Sequence, residues 1–294
     1  MDGNKNKAQG GSVKPAPFAY AKAKSVDHAI DLLGASDGEG RLLAGGQSLM
    51  ASLNMRLSHP ALLIDINGIA GLSGIRVGSG RVNIGAMTRH AAVETSPDIA
   101  KHAPLIARAM PHIAHPAIRN RGTIGGSVAF ADPAAELPAC MVALDAELTI
   151  KGPKGERSVK AADFFKGLFE TALGPQDVLT GIAIPSAGAA SRTGFGELTR
   201  RHGDYAIVGL AAAGEANGKG YDKLRLVYFG VGATPVRASK AEAALAAGDI
   251  EAAAKAVADD LDPPDDIQAS GAAKRHLAGV LLRRVAAQLA EAHQ

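Results

Sequence analysis

The stretch Leu42-Leu43-Ala44-Gly45-Gly46-Gln47-Ser48-Leu49 joins an apolar run to a segment in which leucine recurs at positions 49, 53 and 57. The run from Arg41 to Ala44 predicts a short buried strand, the glycine pair predicts a tight turn, and the leucines predict one face of a helix. Backbone N–H groups of such a turn can hold a phosphate without lysine, and glycine allows the phosphate to approach closely. This stretch alone equally permits an ordinary strand-to-helix turn capped by Ser48.

A second glycine pair lies roughly 80 residues further along, in Thr123-Ile124-Gly125-Gly126-Ser127. Asp132-Pro133 then predicts the start of a helix, with aspartate as the N-cap and proline at the first helical position. By itself this segment also permits a turn followed by a capped helix. Two glycine bends from different subdomains can clasp the two phosphates of a dinucleotide. Because neither G-x-G-x-x-G after a strand nor G-x-x-x-x-G-K occurs, nucleotide binding here requires a fold other than the Rossmann or P-loop type.

The remaining pattern predicts an α+β chain with two or three subdomains. A helix is expected at 25–33, a strand at 62–66, strands at 75–77 and 81–87, a helix over 90–110, a hairpin at 146–159 and a strand at 177–184. The small residues of 186–190 indicate a boundary. Three strands follow, at 192–200, 205–215 and 223–232, and then alanine-rich helices, of which the last spans 270–292.

Composition excludes several functions. The 294 residues carry 32 basic and 29 acidic side chains, well interspersed, which disfavours a nucleic-acid partner. No apolar run reaches the roughly 18 to 20 residues of a membrane span, so we expect a cytoplasmic protein with a flexible segment at 1–17. The single cysteine, Cys140, excludes an intramolecular disulfide, and one copy of the chain cannot supply the four thiolates of a [2Fe-2S] cluster.

These motifs resemble a known family. Ala44-Gly45-Gly46-Gln47-Ser48-Leu49, Thr123-Ile124-Gly125-Gly126-Ser127 and Ala131-Asp132-Pro133-Ala134 resemble the FAD-binding stretches of the medium subunit of carbon monoxide dehydrogenases and related molybdenum hydroxylases. Arg200-Arg201-His202-Gly203-Asp204-Tyr205-Ala206 resembles the element of that family whose aromatic residue lies against the flavin ring. The resemblance runs from about Phe18 to the C-terminal helix.

The resemblance implies a PCMH or vanillyl-alcohol-oxidase-type fold, with two α/β subdomains and a C-terminal domain that has a three-stranded antiparallel sheet and helices. The implied divisions are a flexible segment at 1–17, FAD-binding subdomains at 18–68 and 69–187, and a C-terminal domain at 188–294.

The resemblance also implies a set of residues that bind FAD non-covalently. Residues 44–48 and 123–126 would hold the diphosphate, Asp132 would make polar contacts, Leu173 would contact the adenosine or the ring, and Tyr205 would cover one face of the ring. The complete set is Ala44, Gly45, Gly46, Gln47, Ser48, Leu49, Thr123, Ile124, Gly125, Gly126, Ser127, Asp132, Leu173 and Tyr205. No residue is expected to act as an acid or base on the organic substrate.

No metal site is expected in this chain, since His112 and His115 lack a third ligand. In the family, a molybdopterin large subunit passes electrons through a [2Fe-2S] small subunit to FAD. The resemblance therefore implies three kinds of subunit, assembled as a dimer of heterotrimers. The organic substrate and the final electron acceptor stay open. Two other functions also remain: a stand-alone flavin oxidase of the same superfamily, and a scaffold subunit that has no cofactor.

Overall fold

The first part of the chain forms a three-stranded parallel sheet. The computed structural model describes residues 15–218 and 220–291, so most of the segment 1–17 lies outside the described residues. The strand order is β1-β3-β2, and helices connect the strands because parallel neighbours require a crossover. The elements are β1 Ala19–Lys22, α1 Val26–Ala35, β2 Gly40–Leu43, α2 Leu49–Asn54 and β3 Leu62–Asp65. The predicted strand, glycine turn, helix and strand are all present.

The second part is a five-stranded antiparallel sheet of order β4-β5-β10-β6-β7, with a separate small hairpin, β8-β9. Its central strands bury every second residue, so Ile84, Leu148 and Ile182 face the core side by side. The strands are β4 Ile75–Gly78, β5 Arg81–Gly85, β6 Glu147–Gly152, β7 Gly155–Lys160, β8 Phe165–Gly167, β9 Glu170–Thr171 and β10 Val178–Pro185.

Short helices cover the core face of this sheet. The single helix predicted over 90–110 is wrong: Pro97 and Pro104 each begin a new helix, because proline cannot donate the backbone bond that would continue the preceding one. The helices are α3 His90–Glu94, α4 Pro97–His102, α5 Pro104–Ala109, the 3-10 turn Met110–His112, α6 Pro116–Arg119, α7 Ile124–Phe130, α8 Glu136–Ala143 and α9 Ala161–Phe164.

The third part is an antiparallel sheet buried on both faces. Leu210 and Tyr228 pack against the C-terminal helices, whereas Ala211 and Phe229 face the core that also contains α8. The three predicted strands are present, and a fourth, two-residue strand extends the sheet. The elements are β11 Ser191–Leu198, β12 Val208–Ala216, β13 Tyr221–Phe229, β14 Val236–Arg237, α10 Ser239–Ala246, α11 Ile250–Asp260 and α12 Gly271–Ala290.

Two local predictions are wrong. Helix α2 ends at Asn54, so Leu57 lies beyond it and is 73% exposed. Asp132-Pro133 does not start a helix: Asp132 accepts the N–H of Ala134 at 2.9 Å in a tight turn, and α8 begins only at Glu136. In the part of the chain that the structure describes, no helix is long and apolar enough to cross a membrane.

A larger residue at Gly209 should destabilise the third sheet, because a methyl group there would overlap the ring of its cross-strand partner Phe229. We expect Gly209→Ala to lower the free energy of unfolding by about 1 to 3 kcal/mol in urea denaturation. Gly78→Ala is the matched control, since an added Cβ meets nothing within 4 Å, and should change stability by less than about 1 kcal/mol. Equal effects of the two substitutions would contradict this packing.

Candidate functional site

The two glycine bends predicted from the sequence lie against each other. We call residues 44–48 the first bend and residues 122–127 the second bend. A Cβ on Gly45 would lie 2.5 Å from the carbonyl oxygen of Arg121 and 2.8 Å from the Cα of Gly122. A Cβ on Gly126 would lie 3.7 Å from the Cβ of Ala44. The bends therefore touch backbone to backbone, and only glycine at position 45 permits that contact.

The first bend presents a row of free donors. Among the described residues, the backbone N–H groups of Gly45, Gly46, Gln47 and Ser48 have no protein acceptor. Gly46 has a φ of 75°, in the left-handed region that favours glycine. Ser48 is the N-cap residue of α2, as the alternative of an ordinary strand-to-helix turn expects, but its side chain makes no capping hydrogen bond. Four adjacent unbonded donors suit an anion with several oxygens.

The second bend is built differently. Gly125 and Gly126 lie in the first turn of α7 rather than in a free turn, and Thr123 is the N-cap, accepting the N–H of Gly126 at 3.1 Å. The N–H groups of Ile124 and Gly125 donate to the carbonyls of Thr88 and Ala86, at 3.0 and 2.8 Å. The amides of residues 124–127 are thus already bonded, and the second bend presents small residues and the hydroxyl of Ser127.

Two residues that the sequence reasoning missed connect the bends. The side-chain amide of Asn67 donates to the carbonyl of Ala44 at 2.9 Å and accepts from the guanidinium of Arg89 at 2.6 Å. The same guanidinium donates to the carbonyl of Arg121, immediately before the second bend. Asn67 follows β3, whose end meets the same sheet edge as the end of β2, and that position was the available signal in the sequence.

Tyr205 lies at the surface beside Asp132. Its side chain is 60% exposed, so the alternative that it packs beneath a sheet is wrong. Partial burial, followed by the charges of Asp132, Glu136 and Asp204, raises the pKa of Tyr205. The N–H of Gly230 donates to the carbonyl of Pro133 at 2.8 Å and holds the third part of the chain against the Asp132 turn. The structure thus brings Tyr205 and Asp132 together.

Leu173 is half-buried against the core of the second part. Its N–H donates to the hydroxyl of Thr171 at 3.2 Å, at the end of the small hairpin. Phe169, at the tip of that hairpin, contacts Phe130 at the end of α7 with ring centroids 5.0 Å apart. The hairpin therefore adjoins the helix that begins at the second bend.

Buried acids lie behind Asp132. Burial, reinforced by the charges of Glu197 and Asp132, raises the pKa of Glu136 to about 8. The side chain of Glu197 is 3% exposed, with one oxygen 3.3 Å from Nδ1 of His112. Its other oxygen has no hydrogen-bond partner among the described residues. Cys140 lies in the same region, fully buried, and burial raises the pKa of its thiol, which makes it a poor nucleophile.

The donors present fit a diphosphate. Besides the free amides of the first bend, Arg89 and Arg121 place two positive charges beside the contact between the bends. The two bends form an open surface. A neighbouring cavity of about 350 Å³ is lined by Asn67 and Arg89 but by no residue of either bend. Within the described residues no group of three or more His, Cys, Asp or Glu is placed to hold a metal ion.

Comparison with known families assigns nearly the whole chain. Residues 16–187 match the family described as FAD binding domain in molybdopterin dehydrogenase. Residues 194–289 match the family described as CO dehydrogenase flavoprotein C-terminal domain.

Individual proteins are similar to this chain over more than nine tenths of their length. The 6-hydroxypseudooxynicotine dehydrogenase complex subunit alpha of Paenarthrobacter nicotinovorans is 39% identical over 94% of this chain and 95% of its own. The carbon monoxide dehydrogenase medium chain of Hydrogenophaga pseudoflava is 34% identical over 92% of this chain and 96% of its own.

Solved structures agree as well. A carbon monoxide dehydrogenase structure from Hydrogenophaga pseudoflava superposes with a TM-score of 0.91 at 36% identity, covering 94% of this chain and 98% of that one. The quinoline 2-oxidoreductase structure from Pseudomonas putida 86 superposes with a TM-score of 0.88 at 35% identity, with the same coverage.

Glu136 should make stability depend on pH. Its pKa in the folded protein, about 8, lies above the ordinary 4.5, so the folded protein holds a proton that the unfolded chain releases. That stability is complete below about pH 4.5 and is lost as the pH rises through about 8. Glu136→Gln cannot ionise, so its free energy of unfolding should rise relative to wild type between pH 5 and pH 9, by up to a few kcal/mol.

Urea denaturation at pH 5, 7 and 9 measures this difference. Glu156 is exposed on β7 and provides the control: the difference between Glu156→Gln and wild type should stay nearly constant. A difference for Glu136→Gln that does not change with pH would show that Glu136 is ionised in the folded protein.

Proposed function

The chain belongs to the family of FAD-binding medium subunits of molybdenum hydroxylases, and on that premise we propose that it holds FAD across the two bends and relays electrons within a larger complex. The observation that carries the proposal is the contact between a bend with four free amides and a second bend of small residues. An oxidoreductase activity of the complex agrees with the dehydrogenase relatives.

We propose that the first bend, 44–48, with Leu49 behind it, binds the diphosphate through its main-chain amides. The second bend would close the other side with small residues from Thr123 to Ser127. Asp132 and Tyr205, which lie together, would adjoin the ring, and Leu173 would border the cofactor from the hairpin side. FAD, when bound, supplies the redox chemistry, and these residues position it and shield it from water.

We propose that FAD is held non-covalently. Cys140 is the only cysteine, and it is completely buried in α8, so its thiol is not available to a flavin at the surface. We propose the divisions 18–68, 69–187 and 188–294 as the functional parts, of which the first two supply the bends and the third supplies Tyr205.

The electron path extends to other chains. With a single cysteine, one copy of this chain lacks the four thiolates that a [2Fe-2S] cluster requires. We propose that a [2Fe-2S] small subunit delivers electrons that a molybdopterin large subunit takes from the organic substrate, in a dimer of heterotrimers. The names of two relatives, "complex subunit alpha" and "medium chain", support a role as one subunit among several.

The purified full chain should carry FAD that acid releases, and Gly45→Ala should lose it. A methyl group at position 45 would push the first bend away from Arg121 and Gly122, so we expect FAD affinity to fall by roughly 10-fold or more. The bound flavin is measured by absorbance after gel filtration. Gly188→Ala, where an added Cβ meets nothing within 4 Å, is the control and should retain FAD.

Colourless, folded wild-type protein that takes up no added FAD would contradict the proposal and favour a scaffold subunit. Reduction of the bound flavin by a small alcohol, with no partner present, would instead favour a stand-alone oxidase.

Tyr205 should quench the fluorescence of bound flavin. An electron-rich phenol ring stacked on the flavin quenches its emission, so Tyr205→Ala should make the bound flavin several-fold brighter. Tyr205→Phe keeps a ring for stacking but removes the hydroxyl, and should give an intermediate emission. If Tyr205→Ala still binds FAD and the flavin emission is unchanged, the flavin ring does not lie against Tyr205.

A further inference from the structure

We propose that Asn67 is a positioning residue that aims an amide of the first bend at the diphosphate, and that Arg89 holds Asn67 in that orientation. The inference deepens the proposed function and rests on it. It assigns a role to two side chains outside both glycine motifs.

Peptide geometry fixes the direction of the N–H of Gly45. The carbonyl of Ala44 and the N–H of Gly45 belong to one planar trans peptide, so they point in opposite directions. The side-chain amide of Asn67 donates to that carbonyl at 2.9 Å, and to the carbonyl of Leu43 at 3.2 Å. With its carbonyl held on the Asn67 side, the N–H of Gly45 must point away from Asn67. That N–H is the first of the four free donors.

The next peptide is held in the same manner. The side chain of Gln47 donates to the carbonyl of Gly45 at 2.9 Å. The N–H of Gly46 shares that peptide and therefore points away from the side chain of Gln47. Side-chain amides thus hold two successive backbone carbonyls, those of Ala44 and Gly45. Because each carbonyl is held, the backbone N–H of the same peptide has a fixed direction before a ligand binds.

Asn67 itself is locked by its neighbours. Its backbone N–H and its side-chain amide donate to one oxygen of Asp65, at 2.8 and 2.7 Å, and the other oxygen of Asp65 accepts from the hydroxyl of Tyr20 at 2.6 Å. The guanidinium of Arg89 donates to the side-chain oxygen of Asn67 at 2.6 Å. Since that oxygen must face a donor, Arg89 fixes which end of the amide points at Ala44.

Arg89 also reaches the second bend. It donates to the carbonyl of Arg121, against which Gly45 packs. One guanidinium therefore links Asn67, which holds a carbonyl of the first bend, to the residue that precedes the second bend. Burial and the nearby charge of Arg121 lower the pKa of Arg89, so the two cations repel each other and an anion beside them is favoured.

This role is separable from folding. Asn67 is an exposed side chain and Arg89 is half-exposed, and neither belongs to a hydrophobic cluster. The matched control is Asn83, an exposed asparagine on β5 for which the structure shows no side-chain hydrogen bond among the described residues.

The experiment titrates the full chain, after removal of any flavin, with FAD, ADP and riboflavin. We expect Asn67→Ala to weaken FAD and ADP together, by roughly 10- to 100-fold, because both carry the diphosphate. Riboflavin, which has no phosphate, should bind as it does to wild type. Arg89→Lys keeps the charge but loses the two-pronged geometry, and should weaken FAD and ADP by roughly 3- to 10-fold. Added to Asn67→Ala, it should have a smaller effect than alone.

Asn83→Ala should bind all three compounds as wild type does, and the urea midpoints of the variants without flavin should match wild type. The inference is overturned if Asn67→Ala binds FAD within about twofold of Asn83→Ala, or if all three compounds weaken together with a lowered urea midpoint. Wild-type protein that binds neither FAD nor ADP would instead remove the proposed function, and with it the premise of this inference.

Discussion

The site depends on one close contact, in which the backbone at Gly45 lies against the backbone at Arg121 and Gly122. A side chain at position 45 would separate the two parts of the chain that meet there. The contact is possible because β2 and β3 end at one edge of a parallel sheet, and because α7 starts at a cap residue beside it. The sheet therefore delivers the first bend, and the capped helix delivers the second.

The two bends then play different parts. The first keeps its amides free and has its carbonyls held by the side chains of Asn67 and Gln47. The second uses its amides to bond to the segment immediately after β5, through the carbonyls of Ala86 and Thr88. A rigid second bend can thus support a first bend whose donors are available to a ligand. The chain holds its donors in place before binding, which reduces the ordering cost of binding an anion.

Much of the fold could be predicted from the sequence, because many of its elements follow from local residue patterns. The Gly45-Gly46 turn between β2 and α2, the hairpin of β6 and β7, and the long helix after Ser270 all follow from periodicity and turn residues. The prediction of one helix over 90–110 was wrong, because the apolar spacing continues through two prolines, each of which begins a new helix. The prediction of a helix start at Asp132 was also wrong, because an Asp-Pro pair suits a tight turn as readily as a helix start. The position of Asn67 after β3 was a usable signal, but its hydrogen bond with Arg89 could not be predicted, because the two residues come close only after folding.

Hydrogen exchange of the backbone amides, with and without FAD, measures directly whether the free amides of the first bend acquire acceptors from the cofactor. We expect fast exchange at 45–48 in the chain without FAD and slow exchange once FAD is added, because those amides gain acceptors only then. Residues 124–127 should exchange slowly in both states, because protein acceptors already hold them. Amides at 45–48 that exchange equally fast with FAD bound would contradict the account.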